Sequence, residues 1–124
     1  MINEECWLLF GKQIGKFWFG RKVAESYHQG SPTLVRFSPQ FALDNAYRLV
    51  GFFHTHPSFT ADYSQTDDTT MKGWQVTTGK NLACVIKGVD RLAVHWYNDA
   101  IWEGQAVKET RCWQIGNFFF GRIG

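Results

Sequence analysis

No run of lysine or arginine interrupts this chain. Its 13 Lys and Arg and 11 Asp and Glu are interspersed over 124 residues, for a formal net charge of +2. That pattern leaves no electrostatic footprint for nucleic acid or for a polyanionic membrane. Cysteine is scarce. Cys6, Cys84 and Cys112 are far apart, odd in number and form no CxxC pair, so neither a disulfide framework nor a Cys-type zinc site follows. No apolar segment follows a basic opening stretch, and no apolar run approaches ~18 residues, which leaves secretion and a transmembrane helix without support. A reducing cytoplasm is the expected setting. Internal repeats, low-complexity tracts and linkers are absent as well.

Hydrophobic surface is plentiful. Hydrophobic residues make up 44% of the chain and charged residues 19%, which favours a packed core over disorder. The length suits one domain spanning residues 1–124. Aromatics reach 17%, with six Trp and eleven Phe. Most of them read as core, and the alternative is an exposed aromatic surface for a protein partner. Phe118-Phe119-Phe120 in the tail is open to both readings.

Apolar runs at Cys6–Phe10 and Lys16–Phe19, with a turn at Ile14-Gly15 between them, predict a hairpin. A loop signal at Gly30-Ser31-Pro32 precedes a loosely alternating stretch, Thr33–Phe37. Phe41, Leu43, Ala46 and Leu49 are spaced for one short amphipathic helix over Pro39–Leu49. Val50–His56 reads as a buried strand that Pro57 stops. Ser58–Tyr63 is then a loop, and Ser64 caps a helix running to about Gln75. Asn81–Ile86 and Leu92–Tyr97 are strands around a Lys87-Gly88-Val89-Asp90 turn. Ile101–Val107 and Cys112–Phe120 are expected to add strands. The sum is a mixed α/β or α+β domain around a curved sheet with two or three helices.

The chemistry concentrates in His54-Thr55-His56-Pro57 followed by Ser64-Gln65-Thr66-Asp67. Side chains two apart on a strand share a face, so His54 and His56 present two imidazoles together. The first turn of the next helix adds the Asp67 carboxylate. Two imidazoles and one carboxylate are the open ligand set of a catalytic zinc, which keeps a fourth position for water, whereas structural zinc sites close with four ligands and favour Cys. A strand histidine is more often a core or surface residue than a ligand, and Ser-x-x-Asp is more often a capping box than a metal site. Their co-occurrence in this order and spacing carries the reading. His28 and His95 lack such a context and read as structural. A zinc hydrolase also needs a general base. Glu4, Glu5, Glu25, Glu103, Glu109, Asp44, Asp62 and Asp68 are the candidates, and the residues alone leave the choice open.

These residues resemble the signature of the JAB/MPN metalloenzyme family, the JAMM motif: an upstream Glu, then His-x-His-Pro, then Ser-x-x-Asp. Here seven residues, Pro57 to Tyr63, separate His56 from Ser64, as in the family. Upstream, family members carry a Glu seven residues before a Gly, and counting back from Gly11 through Glu5-Cys6-Trp7-Leu8-Leu9-Phe10 lands on Glu4. The resemblance covers Glu4 to about Gly88, and the tail more loosely. It implies a cytidine-deaminase-like curved mixed β-sheet flanked by two or three helices. It implies one catalytic Zn2+ held by His54, His56 and Asp67, with Glu4 as general base and acid and Ser64 stabilising the oxyanion. Asp68 falls outside the motif and reads as a solvated helix-start acid.

Active members are peptidases or isopeptidases, many acting on ubiquitin or ubiquitin-like proteins. Bacterial relatives work in small conjugation operons, some linked to phage defence, and others process phage tail proteins. Further members keep the fold as non-catalytic scaffolds. Three departures stand out. Met1 lies only three residues before Glu4, where the family usually has a helix. Trp7 replaces a common Gly. The long insertions of eukaryotic deubiquitinases are missing. The expected protein is a compact prokaryotic-type enzyme. It would cleave after the C-terminal tail of a ubiquitin-like partner, binding that tail beside an exposed strand edge, with no nucleic acid or membrane partner.

Overall fold

Gly15 sits at φ 59°, the left-handed conformation that costs glycine least, and turns the chain between its first two strands. In the computed structural model, which describes residues 5–29 and 39–123, β1 is Glu5–Ile14 and β2 is Phe17–Gln29. Ile14 opposite Phe17 closes the expected hairpin. The stretch Thr33–Phe37 lies outside the described residues. The expected helix over Pro39–Leu49 is shorter: α1 covers Pro39–Asp44, and a 3-10 turn follows at Ala46–Arg48. Asn45 ends α1 by donating its side-chain N–H to the Phe41 carbonyl at 2.9 Å, and burial draws Leu49 into the next strand.

That strand, β3, is Leu49–Thr55. The long helix α2 runs Gln65–Thr78, three residues past the expected end at Gln75, and stops at Gly79, φ 66°. β4 is Leu82–Lys87 and β5 is Leu92–Tyr97. No strand forms over Ile101–Val107. A 3-10 turn at Asp99–Glu103 stands there instead, capped by the Asn98 side chain accepting from the Ala100 N–H at 3.0 Å. The turn is fastened to α2 by the Trp102 indole N–H donating to Gln75 Oε1 at 3.0 Å. The expected strand Cys112–Phe120 is a hairpin of two, β6 at Lys108–Ile115 and β7 at Phe118–Arg122. The break is Gly116, at φ 59°.

The α+β class and the mixed sheet stand. The sheet does not merely curve, however. It closes in the order β1-β2-β7-β6-β5-β4-β3, with β3 returning to β1. Every pairing is antiparallel except β3 with β4. Two α-helices and two 3-10 turns accompany the strands among the described residues, and no helix there is long and apolar enough to cross a membrane.

Strand alternation divides the apolar residues into two cores. One takes side chains from all seven strands, including Leu9, Trp18, Phe53, Val85, Val94, Cys112 and Phe119, and fills the barrel. The other lies on the outer wall of β1, β3, β4 and β5, with Leu8, Phe52, Cys84 and Ile86 under Phe41 of α1 and Met71 and Trp74 of α2. All three cysteines are buried and unbridged. Phe119 is fully buried, its ring 4.7 Å from that of Phe53. Phe119→Ala should cost about 3–5 kcal/mol of unfolding free energy, measured by urea denaturation. A loss under about 1 kcal/mol would mean that the barrel does not close around this ring.

Candidate metal centre

β3 delivers the first ligand. His54 is two residues beyond Phe52, which faces the outer core, and it pairs across the sheet with Cys6 and Ile86. His56 lies just past the strand end. Its N–H still donates to the Lys87 carbonyl at 2.9 Å, so β4 holds it in line until Pro57, which has no N–H to give, releases the chain. The two imidazole centroids are 5.0 Å apart at 63°.

The first turn of α2 delivers the third. Ser64 is the N-cap. Its Oγ accepts from the Asp67 N–H at 3.0 Å, and its own N–H donates to Asp67 Oδ2 at 2.8 Å. The capping box thus aims the carboxylate. Asp67 Oδ1 is 3.1 Å from His54 Nε2, and Oδ2 is 3.3 Å from His56 Nε2. Burial alone would raise the Asp67 pKa. The two histidines and the Ser64 N–H outweigh it and hold the acid far below the usual carboxylate range, so the group is an anion at neutral pH. Nearby, burial and then the Asp67 charge push the Cys84 thiol well up, leaving it protonated and unsuited to ligation.

A hydrogen bond on the far side of His56 sets its chemistry. Its Nδ1 lies 2.9 Å from the Thr60 carbonyl, a group that only accepts, so this nitrogen carries the proton. Nε2 then faces the Asp67 carboxylate: as the imidazolium it donates there, and as the neutral ring it turns a lone pair toward the same spot, where a metal cation takes the place of the proton. His54 Nε2 is buried within ion-pair distance of Asp67 but is not aligned for a hydrogen bond. The three ligand atoms all lie within 4.8 Å of one another. An orphaned nitrogen, a locked tautomer and an ionised carboxylate fit a divalent metal of the zinc type.

The loop that supplies the Thr60 carbonyl is pinned from below. His95, fully buried, donates from Nε2 to the Ala61 carbonyl at 2.8 Å. Burial keeps its pKa low, so it acts as a neutral donor. Asp90 accepts from the Ala61 N–H at 2.9 Å. Arg91 reaches Asp62 Oδ1 at 2.7 Å and Glu109 Oε2 at 3.0 Å, and also contacts Asp90. Thr60 closes the web by donating to Asp62 Oδ2 at 2.8 Å. Gly88 lets the loop lie this close, because a Cβ there would meet Ala61 N at 2.2 Å. Sequence reasoning missed this support entirely. A backbone carbonyl leaves no mark on a sequence, Asp90 reads as a turn residue, and Arg91 carries no signal of its own.

The candidate acids separate. Glu4, and the side chain of Glu25, lie outside the described residues, as does the side chain of His28. Glu5 has its N–H on Thr55 Oγ1 at 3.0 Å. Asp62 and Glu109 are tied to Arg91, Asp44 accepts from Gln40 Nε2 at 2.7 Å, and Glu103 ends the 3-10 turn. Asp68 is no solvated acid. It accepts from the buried Tyr97 hydroxyl at 2.8 Å and pairs with Lys72 at 2.9 Å. His95 is structural, as expected.

A family model described as prokaryotic homologs of the JAB domain matches residues 1–115. No curated protein matches the chain.

Arg91→Ala should free the Thr60 loop while leaving the strands intact. Affinity for Zn2+, read by competition with a chromophoric chelator, should fall about 10–100-fold, with Arg91→Lys in between. The melting temperature should change little, since the ion pairs of Arg91 are exposed. An unchanged affinity would show that the loop holds its own shape.

Proposed function

The chain belongs to the prokaryotic homologs of the JAB domain, and on that premise we propose that it is a zinc-dependent peptidase or isopeptidase. The observation that carries the reading is the convergence of His54, His56 and Asp67 within 4.8 Å, with His56 held in the metal-ready tautomer by Thr60. When bound there, zinc polarises the scissile carbonyl and lowers the pKa of a water to about 7.

The chain's own residues do the rest. Ser64 uses its oxygen as an acceptor in the helix cap, so its hydroxyl proton remains to meet the developing oxyanion. Glu4 is the proposed acid and base. Glu4 stands seven residues before Gly11, the spacing of the family's upstream acid, and Glu5 stands six. Glu4 would take a proton from the attacking water and return it to the leaving amine. The substrate in this reading is the extended C-terminal tail of a ubiquitin-like protein. The closed barrel restricts where such a tail can add as a strand.

Purified protein should contain zinc in a one-to-one ratio and cleave a reporter fused to such a tail. Glu4→Gln should retain zinc and lose about 10²–10⁴-fold in kcat, and Ser64→Ala should lose on the order of 10²-fold with metal kept. His56→Ala with full zinc and full activity would refute the reading. A larger loss from Glu5→Gln than from Glu4→Gln would move the acid by one residue.

A further inference from the structure

The barrel wall away from α1 and α2 carries bare apolar side chains. Across three neighbouring strands, Phe19 of β2 lies opposite Phe120 of β7, and Phe120 opposite Trp113 of β6. These three are 39–47% exposed. At one end of this row the cross-strand pair Ile14 and Phe17 is 57% and 58% exposed. At the other, Ile115 and Phe118 pair at 68% and 56%. The five rings alone leave on the order of 500 Å² open, taking ~200 Å² per aromatic side chain. With the two isoleucines this reaches or passes the largest patch an ordinary monomer shows.

Cations dominate this wall, and the outward carboxylate at its β5 side, Glu109 of β6, is tied to Arg91. Residues 11–23 and 110–124 hold six Lys and Arg and no Asp or Glu. The two segments are distant in the chain, and the β2–β7 pairing joins them. By strand parity, Lys12, Arg21, Arg111 and Arg122 point outward with the rings, and Arg122 sits over Phe17 at 5.9 Å. The even mixing of charge along the chain does not carry over to its surface.

We propose that this wall docks on an anionic lipid surface. A second copy fits poorly, because a two-fold contact would set cations against cations, and the nearby carboxylate of Glu109 is already paired with Arg91. A folded protein surface ordinarily mixes both signs, whereas a wall whose unpaired charges among the described residues, Lys12, Arg21 and Arg111, are cations suits a polyanion. Single-stranded nucleic acid binds such walls by stacking bases on ring faces. Here Trp113 and Phe120 stack on each other, 5.9 Å and 19° apart, and the most exposed position, Ile115, is aliphatic. An anionic bilayer interface takes both halves at once. Phe and Ile enter the acyl boundary, and the guanidinium and ammonium groups meet the phosphates.

The test is sedimentation of the full chain with vesicles. It should pellet with vesicles of equal parts phosphatidylglycerol and phosphatidylcholine, less so at raised salt, and stay in solution with phosphatidylcholine alone. Tryptophan emission should shift to the blue on binding, and Trp113→Phe should bind while losing most of that shift. Arg21→Glu with Arg122→Glu, and separately Phe19→Ser with Phe120→Ser, should each weaken binding at least about tenfold with the circular dichroism spectrum unchanged. Failure to pellet would overturn the proposal. So would equal binding by the charge-reversed and native proteins, tight binding of an oligo-dT strand in place of vesicles, or a concentration-dependent dimer abolished by the Phe substitutions. None of these outcomes bears on zinc content or peptidase activity.

Discussion

The parallel pairing of β3 with β4 governs the rest of the molecule. Antiparallel neighbours can be joined by two residues, but parallel ones require the chain to travel back along the sheet. The return path here is the loop 56–64 followed by α2. His54 stands at the end of the outgoing strand, His56 just beyond it, and Asp67 in the first turn of the returning helix. A crossover therefore brings residues 54 and 67 within 3.1 Å without any contact made for that purpose alone. Gly51 shows how tight the pairing is, since a Cβ there would meet the Ala83 carbonyl at 2.1 Å.

The geometry creates an electrostatic debt and settles it locally. Burying a carboxylate costs several kcal/mol unless charge and hydrogen bonds replace the lost water. Asp67 recovers part of this from the Ser64 N–H and from the helix start, where a cap is worth about 1 kcal/mol and the dipole favours an anion. The remainder must come from the side facing His54 and His56. A metal held by these three residues and the helix cap would therefore be two halves of one neutralisation rather than competing readings of Ser-x-x-Asp. The orientation of His56 comes from elsewhere, through Thr60, whose loop is held by Arg91, Asp90 and His95. Three separate elements thus have to be in register before the three ligands point at one spot.

Much of this was legible in the sequence. His54 and His56 are two apart, Pro57 stops the strand, and Ser64 with Asp67 carries a capping signature, so the ligand set and its supporting elements follow from local rules. The elements that failed did so for local reasons too. Asn45 ends α1 where the helix was expected to run to Leu49, Asn98 caps a 3-10 turn that takes the start of the strand expected from Ile101, and Gly116 splits one apparent strand into two. Closure of the barrel could not be read, because it depends on β1 accepting both β2 and β3 as neighbours. The role of Arg91 was invisible for the same reason, as its three carboxylate partners come from the loop 56–64, the β4–β5 turn and β6.

Barrel closure also explains why the aromatic content was hard to interpret. In a sheet with one wet face, alternation separates core from surface. Here the inner wall fills the barrel, and part of the outer wall is covered by helices, so apolar residues occupy both parities of a strand. In Phe118-Phe119-Phe120 the middle ring is buried and its two neighbours are exposed, although all three are the same residue. Composition counts such residues together, and only the fold assigns them. α1 and α2 cover the wall over β1, β3, β4 and β5 because the crossover places α2 there, next to the metal site. Among the described residues the wall over β2, β6 and β7 receives no crossover helix: its strands pair antiparallel, and tight hairpins join β1 to β2 and β6 to β7. The constraint that builds the metal centre on one side of the barrel therefore leaves the aromatic wall on the other side uncovered.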